Sequence, residues 1–133
     1  MTLKHYITLA TIIGIAGCTP GNRTSPTLDD PMSSGREFIE SSLKGDYASA
    51  RKHLLQDSLN IEYFNGLQNF NEKMNGKDKL GYKDANIIID SISKLSDTIS
   101  IIHYSNTFKN KPDKIKMLKV DNNWLVDFKY TFQ

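Results

Sequence analysis

"WLVDFKYTF", residues 124–132, decides the fold. Trp124, Val126, Phe128, Tyr130 and Phe132 recur at every second position, with Asp127, Lys129 and Thr131 between them. Successive side chains of a strand point to opposite faces, so this alternation predicts a half-buried β-strand. Its apolar row faces a core, and Asp127, opposite Trp124 and Phe128, faces solvent. Upstream, Asn122-Asn123 suits a tight hairpin, because asparagine tolerates positive φ. That turn joins the strand to DKIKMLKV, residues 113–120. DTISIIHYSNTF (97–108) and ANIIIDSISKL (85–95) are likewise rich in β-branched and aromatic residues and bounded by turn residues. About four antiparallel strands are expected.

The period changes before residue 85. Asp30-Pro31 reads as an N-cap and first helical residue, and Gly45 as the stop. Between them Met32, Phe38, Ile39 and Leu43 form an apolar face. Asp46 caps a second short helix with Tyr47, Ala50 and Leu54 on one side and Leu55 flanking it. A third starts near Ser58, where Leu59, Tyr63, Leu67, Phe70 and Met74 follow helical spacing and read as its core face. Gly66 interrupts that helix at a cost of roughly 1 kcal/mol relative to alanine. NGKDKLGYKD (75–84) reads as a break. Helices first and a meander afterwards make an α+β domain over residues 31–133, with helices on one face of a curled sheet.

The other end of the sequence concerns location. Residues 6–15, YITLATIIGI, carry no charge and follow Lys4 and His5; the run is far short of the ~20 apolar residues that span a bilayer. A basic start, a short apolar stretch and then small residues is the pattern of a secretory signal peptide. Ile15-Ala16-Gly17-Cys18 resembles the bacterial lipobox, in which the cysteine sulfur is joined to diacylglycerol and the chain is cut before it. The resemblance implies removal of residues 1–17 between Gly17 and Cys18, and a membrane anchor of acyl chains, each buried CH₂ contributing ~0.8 kcal/mol. Residues 18–30 then form a flexible tether, TPGNRTSPTLDDP being poor in apolar residues. Thr19 after the cysteine is similar to lipoproteins sorted to the Gram-negative outer membrane, facing the periplasm. Cys18 is the one cysteine in the chain, so no disulfide within the chain is expected. Loss of Lys4 leaves 16 basic against 15 acidic residues, which argues against nucleic acid as a partner.

GDYASARKHLLQDS (45–58) and KIKMLKVDNNWLVDF (114–128) resemble the capped short helix and closing hairpin of small bacterial lipoproteins with a nuclear transport factor two-like domain, the cystatin-like, cone-shaped α+β roll. That superfamily includes ketosteroid isomerase-like and SnoaL-like enzymes as well as members that bind without catalysing, so the resemblance bears on fold first. It implies a pocket between the sheet and the helices, with Phe38, Tyr47, Tyr63, Trp124 and Phe128 near it; the same aromatics also serve as the core of a small domain. The resemblance leaves function open, and with no catalytic motif in the sequence the expectation is a non-enzymatic module. It would bind another envelope protein, a glycan or a small lipophile while held to the membrane by its lipid. The alternative is an isomerase- or cyclase-type enzyme using a pocket Asp/Tyr pair, for which Asp90, Asp127, Tyr63 and Tyr104 have the right chemistry.

Other chemistry is sparse. His53 and His103 have no second histidine or cysteine at ligand spacing, so no metal or other cofactor is expected. GxSxG, HExxH, GxGxxG and Walker-type patterns are missing. Asp57-Ser58-Leu59, Asp90-Ser91-Ile92 and Asp97-Thr98-Ile99 share an Asp–hydroxyl–aliphatic order that resembles an O-glycosylation acceptor motif of some Gram-negative lineages. Helix capping and turn chemistry account for the same residues locally.

Overall fold

A computed structural model describes residues 29–133; the expected lipobox with Gly17 and Cys18, the expected leader and most of the expected tether lie outside the described residues. Four helices come first: α1 (Pro31–Lys44), α2 (Tyr47–Arg51), α3 (Ser58–Lys73) and α4 (Gly76–Lys83). Four strands follow, β1 (Ile87–Ser96), β2 (Ile99–Asn106), β3 (Asp113–Val120) and β4 (Asn123–Asp127), and then a 3-10 helix over Phe128–Phe132. The sheet is an antiparallel meander in chain order, open at β1 and not closed into a barrel. The expected α+β architecture is present.

Local chemistry sets the helix ends. Asp30 accepts from the Ser33 amide at 3.0 Å to start α1, and Gly45 ends it at φ 75, a left-handed conformation natural to glycine. Asp46 and Asp57 cap α2 and α3 through the Ser49 and Asn60 amides. At the Asp57-Ser58-Leu59 triplet the cap is thus Asp57, with Ser58 the first helical residue, and Thr98 takes part in turn chemistry, its amide donating to Ser96 Oγ. Asp90 is the extra residue where the β1–β2 register shifts between Ile89 and Ser91.

The core forms where α1 lies across the sheet and touches every strand. Its contact point is Gly35. A Cβ there would overlap the Ile102 side chain and sit 3.2 Å from both Ile115 Cδ1 and Met117 Sδ. Those residues share one face through the pairs Ile102↔Ile115 and Met117↔Val126. Beside them Phe38, Phe64 and Phe128 pack ring to ring at 5.5–6.3 Å, a separation suited to tilted aromatic contacts. The opposite face of the sheet carries the register row Ile99, Leu118 and Leu125.

Several expectations are corrected. The 124–132 run is not one strand: β4 stops at Asp127 and Phe128–Phe132 coil into a 3-10 helix. The reason is a tertiary bond, since the Lys129 amide donates to Asn60 Oδ1 of α3 at 2.8 Å instead of to a neighbouring strand. Phe128 still turns into the core, while Tyr130 lies under the Lys114 and Lys116 ammonium groups. The hairpin turn sits one residue earlier than read, with Asp121 and Asn122 at φ 48 and 65 and Asn123 already in β4. Residues 76–83 form α4, because Asn75 caps it through the Asp78 amide. α2 ends at Arg51, and Leu54 instead bridges to Val126 at the β4 edge. On α3 the buried residues are Asn60 and Phe64, whereas Leu59, Tyr63 and Phe70 of the expected core stripe are exposed.

Gly35→Ala should destabilise the domain by roughly 1–3 kcal/mol, because the added methyl overpacks the α1–sheet contact. Helix propensity alone would favour alanine by ~1 kcal/mol, so the sign of the change in thermal unfolding midpoint checks the contact.

Candidate functional site

The helices and sheet part at one end of the core and leave a groove of about 590 Å³. α1 contributes Phe38, Ile39 and Leu43 to its wall, and Tyr47 stands at its side. α3 adds Leu67, Phe70 and Asn71, α4 adds Tyr82, and the 3-10 helix adds Phe128 and Phe132. Across from them lie Tyr104 and Asn106 of β2, with Lys109, Lys111, Pro112 and Asp113 at the mouth. This is an apolar, aromatic-rich concavity with polar groups at its rim, the usual form of a small-molecule site.

Two tyrosines stand out chemically. Tyr47 is pushed up to about 12, chiefly by burial, with the Glu72 carboxylate acting in the same direction. Burial also raises Tyr104 far above the ordinary range, reinforced by Asp113 beside it. The Tyr104 hydroxyl donates to Asp113 Oδ2 at 3.2 Å. Asp113 is exposed, so its charge is solvated. The tyrosine proton is thus committed to a carboxylate at the mouth and not aimed into the groove. Tyr104 stays protonated at neutral pH, and its hydrogen bond to Asp113 fixes the β2–β3 ends beside the opening.

The expected acid/base candidates do not converge. Asp127, read as solvent-facing, is only 4 % exposed. Lys129 Nζ meets its Oδ1 at 2.6 Å and Asp57 Oδ2 at 3.2 Å, and Lys116 Nζ lies 3.5 Å from its Oδ2. Asn60 Nδ2 donates to Asp57 at 2.6 Å and to Asp127 at 3.1 Å. The hydrogen bond to Asp127 is the leading cause that holds the Lys129 ammonium above its usual range. This cluster clamps the start of α3 to the end of β4 and supplies no free base. Asp90 is exposed on β1, and Tyr63 is exposed on α3, stacked on Phe132 outside the groove.

A buried serine and histidine also meet, yet their protons run the wrong way for a nucleophile. Ser34 Oγ donates to the Trp124 carbonyl at 2.5 Å, so toward His53 Nδ1, at 3.1 Å, it must accept. His53 therefore carries its proton on Nδ1 and cannot take one from Ser34. The network ties α1, the segment after α2 and β4 together in the interior. His103 sits half-buried on β2, and no group of three or more His, Cys, Asp or Glu able to hold a metal occurs among the described residues.

Of the expected pocket residues, the groove brings together Phe38, Tyr47 and Phe128, all also touching the core cluster. Trp124 is buried away from it beside Ser34, and Tyr63 faces outward. Sequence reading missed Tyr82, Asn106, Lys109 and Lys111. Tyr82 belongs to a helix taken for a break, and its ring meets Phe108 edge-on at 5.0 Å, close against Gly81. The Asn75–Asp78 spacing of a capped helix was the available signal. No helix among the described residues is long and apolar enough to cross a membrane. No family model, curated protein or solved structure matches this chain.

Burial lowers the His53 pKa, so the folded state prefers the neutral ring. The unfolded chain then binds the extra proton more readily. Stability is therefore full above about pH 6.5 and falls as the pH drops below it, until the folded-state pKa is passed. His53→Asn keeps a donor for Ser34 without a titrating ring. Thermal midpoints measured from pH 7.5 to 5 should fall less steeply with acidification in that variant than in the parent.

Proposed function

We propose that this chain is a cell-envelope lipoprotein, anchored through an acylated Cys18 after cleavage behind Gly17. Its domain, a roll of the nuclear transport factor two-like kind, binds a ligand without transforming it. The outer membrane, facing the periplasm, is the location that Thr19 favours. The observation that carries the binding role is the groove, whose walls are aromatic and aliphatic and whose nearest acid, Asp113, is solvated and already paired with Tyr104. Catalysis of the isomerase or cyclase type asks for a desolvated base and a free hydroxyl donor facing each other inside the cavity. Neither Asp113 nor Asp127 meets that need. Among a protein, a glycan and a small lipophile, the groove's size and apolar lining suit the lipophile best.

Two measurements test the two halves. With an alkyne-bearing fatty acid fed to expressing cells, the parent chain should label and fractionate with membranes, and Cys18→Ser should do neither; labelling of the variant would defeat the anchor. For the groove, anilinonaphthalene sulfonate is an apt probe, being apolar with one negative charge to meet Lys109 and Lys111. It should bind one to one, and Met74→Trp, which fills the groove from its rim, should weaken binding at least ~10-fold, a loss of about 1.4 kcal/mol. Unchanged binding in that folded variant would defeat the groove.

A further inference from the structure

α3 buries Phe64 but turns three other large apolar side chains away from the core. Leu59, Tyr63 and Phe70 are 42, 38 and 63 % exposed, and Phe132, also exposed, stacks on Tyr63 with ring centroids 4.8 Å apart. At about 100° per residue these three α3 side chains share a sector roughly 40° wide, with Gly66 on its border. A contiguous exposed apolar face of this kind marks a place where something else packs.

Gly66 points the same way independently. A mid-helix glycine costs roughly 1 kcal/mol relative to alanine. At Gly35 the close sheet explains the residue, but a Cβ on Gly66 would meet nothing within 4 Å. Nothing within the described residues requires glycine there. Its bare backbone, between Tyr63 and Phe70, floors a shallow depression on the outside of the helix. A notch beside a protruding phenylalanine is shaped to receive another such phenylalanine.

The charges along the flank indicate whose. Glu62 and Lys73 lie on the Gly66 side of α3 and form no ion pair among the described residues. We propose that α3 packs antiparallel against α3 of a second copy of this chain about a two-fold axis, with Phe70 of each copy seated over Gly66 of the other. In such an interface every contact occurs twice, residue i with j and j with i. Setting Phe70 level with the opposing Gly66 brings Glu62 level with the opposing Met74, one residue, or about 1.5 Å along the axis, from Lys73. Two Glu62–Lys73 pairs then close the flank on either side of the axis. The face carries one acid and one base, so it does not repel its own copy. Tyr63 and Phe132 lie beside the crossing and lose their exposure. Phe70 and Phe132 also border the groove, so the proposed contact lies beside it, but the inference does not rest on which ligand the groove takes.

Light scattering on the full chain, purified in mild detergent and corrected for bound detergent, reads the state directly. The parent should show twice the chain mass. Gly66→Leu should be monomeric with an unfolding midpoint no lower than that of monomeric Phe70→Glu, because the leucine projects into open space and removes the glycine penalty. Glu62→Lys alone should weaken association by at least ~10-fold, and Glu62→Lys combined with Lys73→Glu should recover most of it, since the swap restores both pairs. A parent that stays monomeric at the highest attainable concentration overturns the proposal. So does a dimer that survives Gly66→Leu, or a charge swap that fails to restore pairing.

Discussion

Everything in this fold is arranged around the close approach of α1 to the middle of the sheet at Gly35. With no Cβ at that point, the helix backbone settles onto Ile102, Ile115 and Met117. That approach brings Phe38 against Phe64 and Phe128, and it brings Ser34 within reach of the Trp124 carbonyl and His53. A single helix can then seal most of one sheet face, which a domain without an internal disulfide needs, since apolar burial is its main source of stability. The groove lies beside that contact, where Ile39 and Leu43 of α1 face residues of α3, α4 and the 3-10 helix that supply walls but do not fill the space.

Polar groups do structural work at both ends of that contact. Ser34 and His53 satisfy each other and a β4 carbonyl in the interior. Asp57, Asn60, Asp127 and Lys129 hold α3 against the end of β4. A buried carboxylate held by two ammonium groups and an amide is costly to break, because removing one partner strands the others. These ties also explain why carboxylates and a Ser–His pair that look catalytic by type are not arranged for catalysis.

The α+β order, the helix caps at Asp30 and Asp46, the start of the third helix near Ser58, the stop at Gly45 and the four strands were legible because caps and periodicity are local signals. The misread elements share one cause, which is that a tertiary bond or surface overrode a local pattern. Alternation through Phe132 promised a strand, but Asn60, 69 positions upstream, takes the Lys129 amide. The Leu59–Met74 stripe promised a core face, but Phe64 and Asn60 are the residues that point inward. Asp127 looked solvated because its strand alternates, and its partners Asn60 and Lys116 come from other elements. The groove was half legible: Phe38, Tyr47 and Phe128 stood out as aromatics, whereas Tyr82 and the lysines at the mouth are placed by α4 and the β2–β3 connection, which no short-range pattern tied to the core.

That the groove is the place of binding is tested most directly by mapping amide chemical shifts of isotopically labelled protein during titration with anilinonaphthalene sulfonate. Shifts gathered at Tyr47, Leu67, Tyr82, Tyr104 and Asn106, with the far sheet face unmoved, are the expected result. Shifts centred on Ile99, Leu118 and Leu125 instead would place binding on the opposite side of the sheet and contradict it.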